Sequence, residues 1–215
     1  MKYTFINKNN TPRLTLFFAG WGMDIHPFIS LRNITNDCCI CYDYTDMHLN
    51  SEIFDSYTHI DIYAWSLGVW HAALYLRNST LPVRKRIAIN GTMFPIDNEK
   101  GISADIFDAT LKGLNKNSLI KFNLRMCGNK EKVSVYNSLH PQRSIEDIKK
   151  ELQVIGDRIY RTPVFKYPWD KVIIGSDDHI FPYECQLRAW ENDCNNIIVK
   201  PIYHYTDFFK LMLEI

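Results

Sequence analysis

Residues Ile60 to Leu76 constrain this chain more than any other stretch. Ile60-Asp61-Ile62-Tyr63-Ala64-Trp65 is a short apolar run of the kind that forms a buried strand, and Val69 to Leu76 (VWHAALYL) has the apolar density of a buried helix. Only Ser66-Leu67-Gly68 separates them. Apolar strands alternating with helices need cover on both faces of their sheet, which is the condition of a mostly parallel α/β layer. The other β-rich runs agree. Tyr3–Asn7 and Arg13–Phe18 flank the turn-forming Lys8-Asn9-Asn10-Thr11-Pro12 and read as a hairpin. Cys38–Asp43, Arg86–Asn90 before Gly91, Lys171–Ile174 before Gly175, and Asn196–Tyr203 complete the set. The expectation is one α/β domain over residues 1–215, with a mostly parallel sheet of about seven strands.

The rhythm changes after Gly91. Roughly 70 residues pass without a strand, against the ~10–15 that a crossover helix requires. Periodic segments at Ser103–Leu114, Asn117–Cys127, Val133–Leu139 and Ser144–Tyr160 predict three or four helices, with Asp105 and Ser144 as candidate starts. A helical insertion over approximately 92–163 would sit above the active edge of the sheet as a lid. An extended helical layer with no gating role is the alternative.

Composition excludes several classes. Lys+Arg of 25 against Asp+Glu of 24 leaves +1, so no global charge argues for nucleic acid. The start MKYTFINKNN soon turns polar, unlike a signal peptide, and no apolar run approaches the ~18 residues of a membrane span. Cys38, Cys39 and Cys41 could in principle hold a metal. With no histidine or second cysteine pair at ligand spacing, they read as reduced packing residues. A cytoplasmic protein without metal or organic cofactor is the expectation.

The turn at Ser66 carries the chemistry. Ala64-Trp65-Ser66-Leu67-Gly68 is one residue away from the Gly-x-Ser-x-Gly nucleophile elbow, where a strained strand-to-helix turn projects a serine hydroxyl from the end of the sheet. Ala64 and Gly68 meet the need for small residues where strand and helix backbones nearly touch. A serine that merely caps a helix is the plainer reading. Ahead of it, Phe18-Ala19-Gly20-Trp21-Gly22 runs from a strand into a glycine-flanked loop. Backbone N–H groups of Trp21 and Leu67 would there form an oxyanion hole, with Gly20 and Gly22 letting the loop bend toward substrate.

Two later motifs complete the pattern. Gly175-Ser176-Asp177-Asp178 places an acid three residues after a buried strand, with Asp178 the candidate and Asp177 the decoy. Of seven histidines, His204 stands just after the last strand, and His26 and His179 are runners-up. Serine, then acid, then histidine is the chain order of an α/β-hydrolase triad.

Gly20-Trp21-Gly22, the Ala64–Gly68 elbow, Gly175–Asp178 and the terminal histidine make the chain resemble the BioG family, the pimeloyl-[acyl-carrier protein] methyl ester esterases of biotin synthesis. The resemblance spans essentially the whole chain and implies an α/β-hydrolase fold with Ser66 as nucleophile, Asp178 as acid and His204 as base. It also implies removal of a methyl ester from a pimeloyl chain held on acyl carrier protein. A serine esterase or thioesterase of other acyl specificity stays open, as does a non-catalytic interaction protein on the same scaffold.

One feature bears separately on the partner. Between Lys112 and Lys132 the basic residues Lys112, Lys116, Lys121, Arg125, Lys130 and Lys132 face a single acid, Glu131. Lys112, Lys116 and Lys121 could share one helix face, with Arg125 four residues beyond, and steer an acidic carrier; a merely solvated face is equally open. Phe107, Leu111, Leu114, Phe122 and Met126 could line an acyl channel or be core.

Overall fold

The computed structural model describes residues 1–215. Its centre is β4 (His59–Trp65), flanked in parallel by β2 (Arg13–Phe18) and β5 (Val83–Ile89). Period-two alternation sends Ile60, Ile62 and Ala64 into one core and Trp65 into the other, so the strand is buried on both faces. With β1 (Lys2–Asn7), β3 (Asp37–Tyr42), β6 (Lys171–Gly175) and β7 (Ile197–Lys200), seven strands order as β1-β3-β2-β4-β5-β6-β7. Every pairing is parallel except β1 with β3.

The expected hairpin does not form. β3 lies between β1 and β2, antiparallel to the first and parallel to the second. The connecting loop is tied to the strand it steps over: the N–H groups of Asn9 and Thr11 donate to the Asp37 carboxylate at 2.9 and 3.1 Å. β3 itself is buried on both sides. Cys38 enters one core while Cys39 and Cys41 enter the other, so the three thiols cannot converge on one ion. β5 begins three residues earlier than expected, and β7 ends at Lys200, before Pro201, which has no N–H for a ladder.

Helix α1 (Leu67–Leu76) follows β4 directly. Between β5 and β6 stand α2 (Ala104–Gly113), α3 (Lys116–Cys127), α4 (Lys130–Ser138) and α5 (Ile145–Arg161), the helical insertion. The cap of α2 is Ser103, whose hydroxyl accepts the Ile106 N–H; Asp105, the expected start, lies in the first turn instead. Ser144 caps α5 as expected. α5 buries Ile148, Leu152 and Ile155 against the sheet core, and Phe107 of α2 packs on Gly156, where a Cβ would stand 2.8 Å from its ring. Two more helices, α6 (Tyr183–Trp190) and α7 (Phe208–Leu213), follow β6 and β7. No helix is long and apolar enough to cross a membrane.

Candidate active site

The Ser66 elbow is strained and tightly enclosed. Ser66 has φ +60° and ψ −135°, a conformation that a non-glycine residue holds only when its surroundings impose it. They do. A Cβ on Gly68 would stand 2.4 Å from the Ala19 carbonyl oxygen, and one on Gly91 would stand 2.3 Å from that of Ser66. Ala64 is fully buried between its strand partners Phe18 and Ala88. Gly91, read from sequence only as a strand end, belongs to this turn as much as Gly68 does.

Three side chains from distant parts of the chain meet here. His204 Nε2 lies 2.9 Å from Ser66 Oγ, and His204 Nδ1 lies 2.8 Å from Asp178 Oδ2. All three residues are buried. Asp178 Oδ1 accepts the N–H groups of Ile180 and Phe181 at 2.8 and 2.9 Å, and Oδ2 also accepts Gln186 Nε2 at 3.1 Å. The carboxylate therefore has one orientation, aimed at the imidazole. Phe181 stacks on that ring at 5.9 Å. Asp177 is exposed and makes none of these contacts, while His26 bonds Asp24 and stands apart. His179 reaches the cavity wall without touching Ser66.

Supporting residues were not legible in the sequence. Asn90 Oδ1 accepts the Gly175 N–H at 2.7 Å, and its Nδ2 donates to the carbonyls of Tyr203 and His204 at 2.9 and 3.1 Å. A φ of +46° marks the special place of Asn90 in the fold. Gln186 sits in a helix whose sequence gives no sign of a polar buried face.

Trp21 and Leu67 both line the cavity above Ser66. Leu67 opens α1, so its N–H has no acceptor within the helix, and the Trp21 N–H bonds no other backbone group. Gly20 lies close behind, where a Cβ would be 3.1 Å from Ser66 Cβ; Gly22 has φ +75°. The cavity, of about 150 Å³, is lined on the insertion side by Ile106, Phe107, Phe122 and Met126, with Arg125 at its wall. Leu111 packs against the core, and Leu114 lines an adjoining groove between α2 and α3.

The basic residues fall differently from the expected single face. Lys112 ends α2, whereas Lys116, Lys121 and Arg125 belong to α3, because Gly113 and the Asn115–Ser118 capping box break the helix between them. All four are exposed. Lys121 and Arg125 line the groove, which opens from the cavity past Ile106 and Phe122. No group of three His, Cys, Asp or Glu side chains converges as a metal site would need.

Comparison with known proteins gives one family. Residues 1–210 match the family described as "Pimeloyl-ACP methyl esterase BioG". The crystal structure of BioG from Haemophilus influenzae superposes with a TM-score of 0.87 at 32% identity, covering 97% of this chain and 96% of that one. A lipase-esterase related protein from Clostridium acetobutylicum gives a TM-score of 0.60 at 15% identity, covering 94% of this chain and 91% of that one, a likeness of fold alone. A malonyl-[acyl-carrier protein] O-methyltransferase of Bacteroides fragilis is 44% identical over 199 residues, or 93% of this chain. The match spans only 40% of that relative's length.

Proposed function

This chain belongs to the BioG family of esterases with an α/β-hydrolase fold, and from that premise we propose that it hydrolyses the methyl ester of pimeloyl-[acyl-carrier protein], giving pimeloyl-carrier and methanol. The observation that carries the reading is the line from Ser66 Oγ through His204 to Asp178, with steps of 2.9 and 2.8 Å, at the floor of a mostly apolar cavity.

The chemistry is two-step acyl transfer by a serine hydrolase. His204 Nε2 takes the proton of Ser66 as Oγ attacks the ester carbonyl, and Asp178 stabilises the imidazolium that forms. Negative charge on the former carbonyl oxygen rests on the N–H groups of Trp21 and Leu67, in a cavity lined largely by apolar side chains. His204 then gives its proton to departing methanol. A water deprotonated by the same imidazole attacks the acyl-enzyme and releases the free acid, restoring Ser66. The insertion over approximately 92–163 acts as the lid of this single-domain enzyme.

The carrier reading draws on the groove that continues the cavity. It is open to solvent, its floor is apolar, and Lys121 and Arg125 stand on its rim. An acidic acyl carrier protein docked there, with Lys112 and Lys116 beside it, would present an extended acyl arm to Ser66. The Bacteroides relative is named for placing a methyl group on a carrier-bound acid, and a site that removes one performs the complementary reaction.

Methanol release from pimeloyl-carrier methyl ester by the purified protein tests the proposal. Turnover by wild type and none by a folded Ser66→Ala variant is the expected result; turnover retained without Ser66 rejects the serine mechanism. Hydrolysis of short acyl thioesters in preference to the methyl ester would reject the substrate.

A further inference from the structure

A fully buried carboxylate reaches the oxyanion loop from the insertion. Glu151 of α5 has no solvent exposure, and its two oxygens hold backbone donors from two different strand ends. Oε2 accepts the Gly22 N–H at 3.1 Å, and Oε1 accepts the Tyr44 N–H at 2.9 Å. Arg143, just ahead of α5, closes on Oε2 at 2.6 Å and donates to the Met23 carbonyl at 3.3 Å. One helical turn before Glu151, the Ile148 carbonyl accepts the Trp21 indole N–H at 2.7 Å.

Three consecutive residues are thus held from one side. Trp21 is fixed through its side chain, Gly22 through its amide and Met23 through its carbonyl, all by residues 143–151. The opposite side of the loop is pressed on Ser66 at Gly20. The Trp21 N–H belongs to the Gly20–Trp21 peptide, so its direction depends on how Trp21 Cα and the next peptide, Trp21–Gly22, are held; glycine at φ +75° does nothing to restrict that next peptide. The Glu151 bond to Gly22 restricts it. Stability is a weak reason for such a pair, because buried ion pairs are often no better than apolar replacements of similar volume. Burial pushes the Glu151 carboxyl up, and Arg143 and the Tyr44 N–H pull it back.

We infer that Glu151 is the positioning residue of the oxyanion hole: through the Gly22 N–H it sets the orientation of the Trp21 donor, so the helical insertion completes the catalytic site as well as covering it. The inference rests on the serine esterase reading above. Glu151 touches no substrate and acts only through the loop.

The test uses the whole protein and a small diester, dimethyl pimelate, which needs no carrier. Glu151→Leu removes the acceptor of the Gly22 N–H whichever way the side chain turns, and leaves Arg143 paired with Asp43. Its kcat should fall about 10- to 100-fold with KM held within about twofold, the signature of a transition-state donor displaced but not removed. Affinity for an alkylboronic acid, which forms a tetrahedral adduct on Ser66, should fall in proportion, while affinity for pimelate stays unchanged. A purely structural role would not split the two ligands. The paired replacement Glu151→Met with Arg143→Met removes both members of the pair, leaves Lys2 as the cation on Asp43, and serves if the single variant does not fold. It should show the same loss. Wild-type kcat in either folded variant overturns the inference, as does failure of both to fold, which would make the pair structural. A wild-type protein without activity on any methyl ester removes the esterase reading and this inference with it; an active wild type with equally active variants removes the inference alone.

Discussion

The Trp65 indole nitrogen donates to the backbone carbonyl of His204 at 2.7 Å, so the residue before the elbow serine holds the backbone that carries the imidazole. Asn90 donates to the same carbonyl from the end of β5 and accepts the Gly175 N–H from the end of β6. Strand ends that bear serine and acid are thereby locked to the loop that bears the histidine. Relative placement of the three groups depends on this buried polar junction.

Asn90→Ala removes three hydrogen bonds at once and orphans the Gly175 N–H. At about 1 kcal/mol per bond, the loss of stability should be about 3 kcal/mol. Ester turnover should fall at least about tenfold, since a small misplacement of reacting groups is costly. Urea denaturation and steady-state kinetics on the same preparation check both. A variant as stable and as fast as wild type would show that Trp65 alone suffices.

The adjacent aspartates should separate cleanly. Asp178→Asn disturbs the only carboxylate on His204 and should lower kcat by a factor on the order of 10⁴. Asp177→Asn alters an exposed residue and should leave kcat within about twofold of wild type. Comparable losses in both would mean that the acid's role is shared.

The candidate residues that the structure brings together share a local cause. Elbow, oxyanion loop, acid and histidine each sit where an apolar run stops, and period-two burial marks those stops along the sequence. Strand neighbours are a different matter. Whether β1 pairs with β2 is decided by β3, far along the chain, which competes for the same edge and is tied to the intervening loop through Asp37. The face shared by Lys112 and Lys116 was misread because a spacing of four suits a continuous helix, and Asn115 caps a new one instead. Asn90 and Glu151 were invisible for a third reason. Their backbone partners lie more than 80 residues away, and a lone polar residue carries no sign of which distant peptide group it will hold.

Carrier docking predicts a difference between substrates. Replacing Lys112, Lys116 and Lys121 by alanine should lower kcat/KM for carrier-bound ester by about tenfold at low ionic strength, with the gap closing as salt screens the encounter. Dimethyl pimelate should be unaffected. Arg125 lines the cavity as well as the groove, so its replacement should slow both substrates. Stopped-flow measurements across a salt series distinguish these cases, and equal losses on both substrates for the triple lysine variant would remove the docking role.

The last prediction concerns acid. His71 is fully buried in α1, stacked on Tyr44 at 4.1 Å, with Nδ1 2.8 Å from the Leu67 carbonyl and Nε2 3.3 Å from Arg158 Nη1. Burial pushes its imidazole down to about 3 from the ordinary 6.5, and the positive charges of Arg158 and the Met1 amino group act in the same direction. The folded protein therefore keeps His71 neutral where the unfolded chain protonates it. The His71 contribution to stability is complete above about pH 6.5 and is lost as pH falls toward about 3, with a slope of up to about 1.4 kcal/mol per pH unit. Asp43 adds a loss of the same sign only lower down: burial opposes ionisation, but Lys2, Thr45 and Arg143 hold its carboxyl at about 2, so its share disappears between about 3.8 and 2. Between pH 6.5 and 4.5 the His71 contribution is isolated from that of Asp43. His71→Gln keeps a donor for the Leu67 carbonyl and an acceptor for Arg158 but cannot titrate. Urea midpoints in that window should fall with acid in wild type and fall less steeply in the variant, by up to one proton; parallel curves would mean that His71 does not carry the difference.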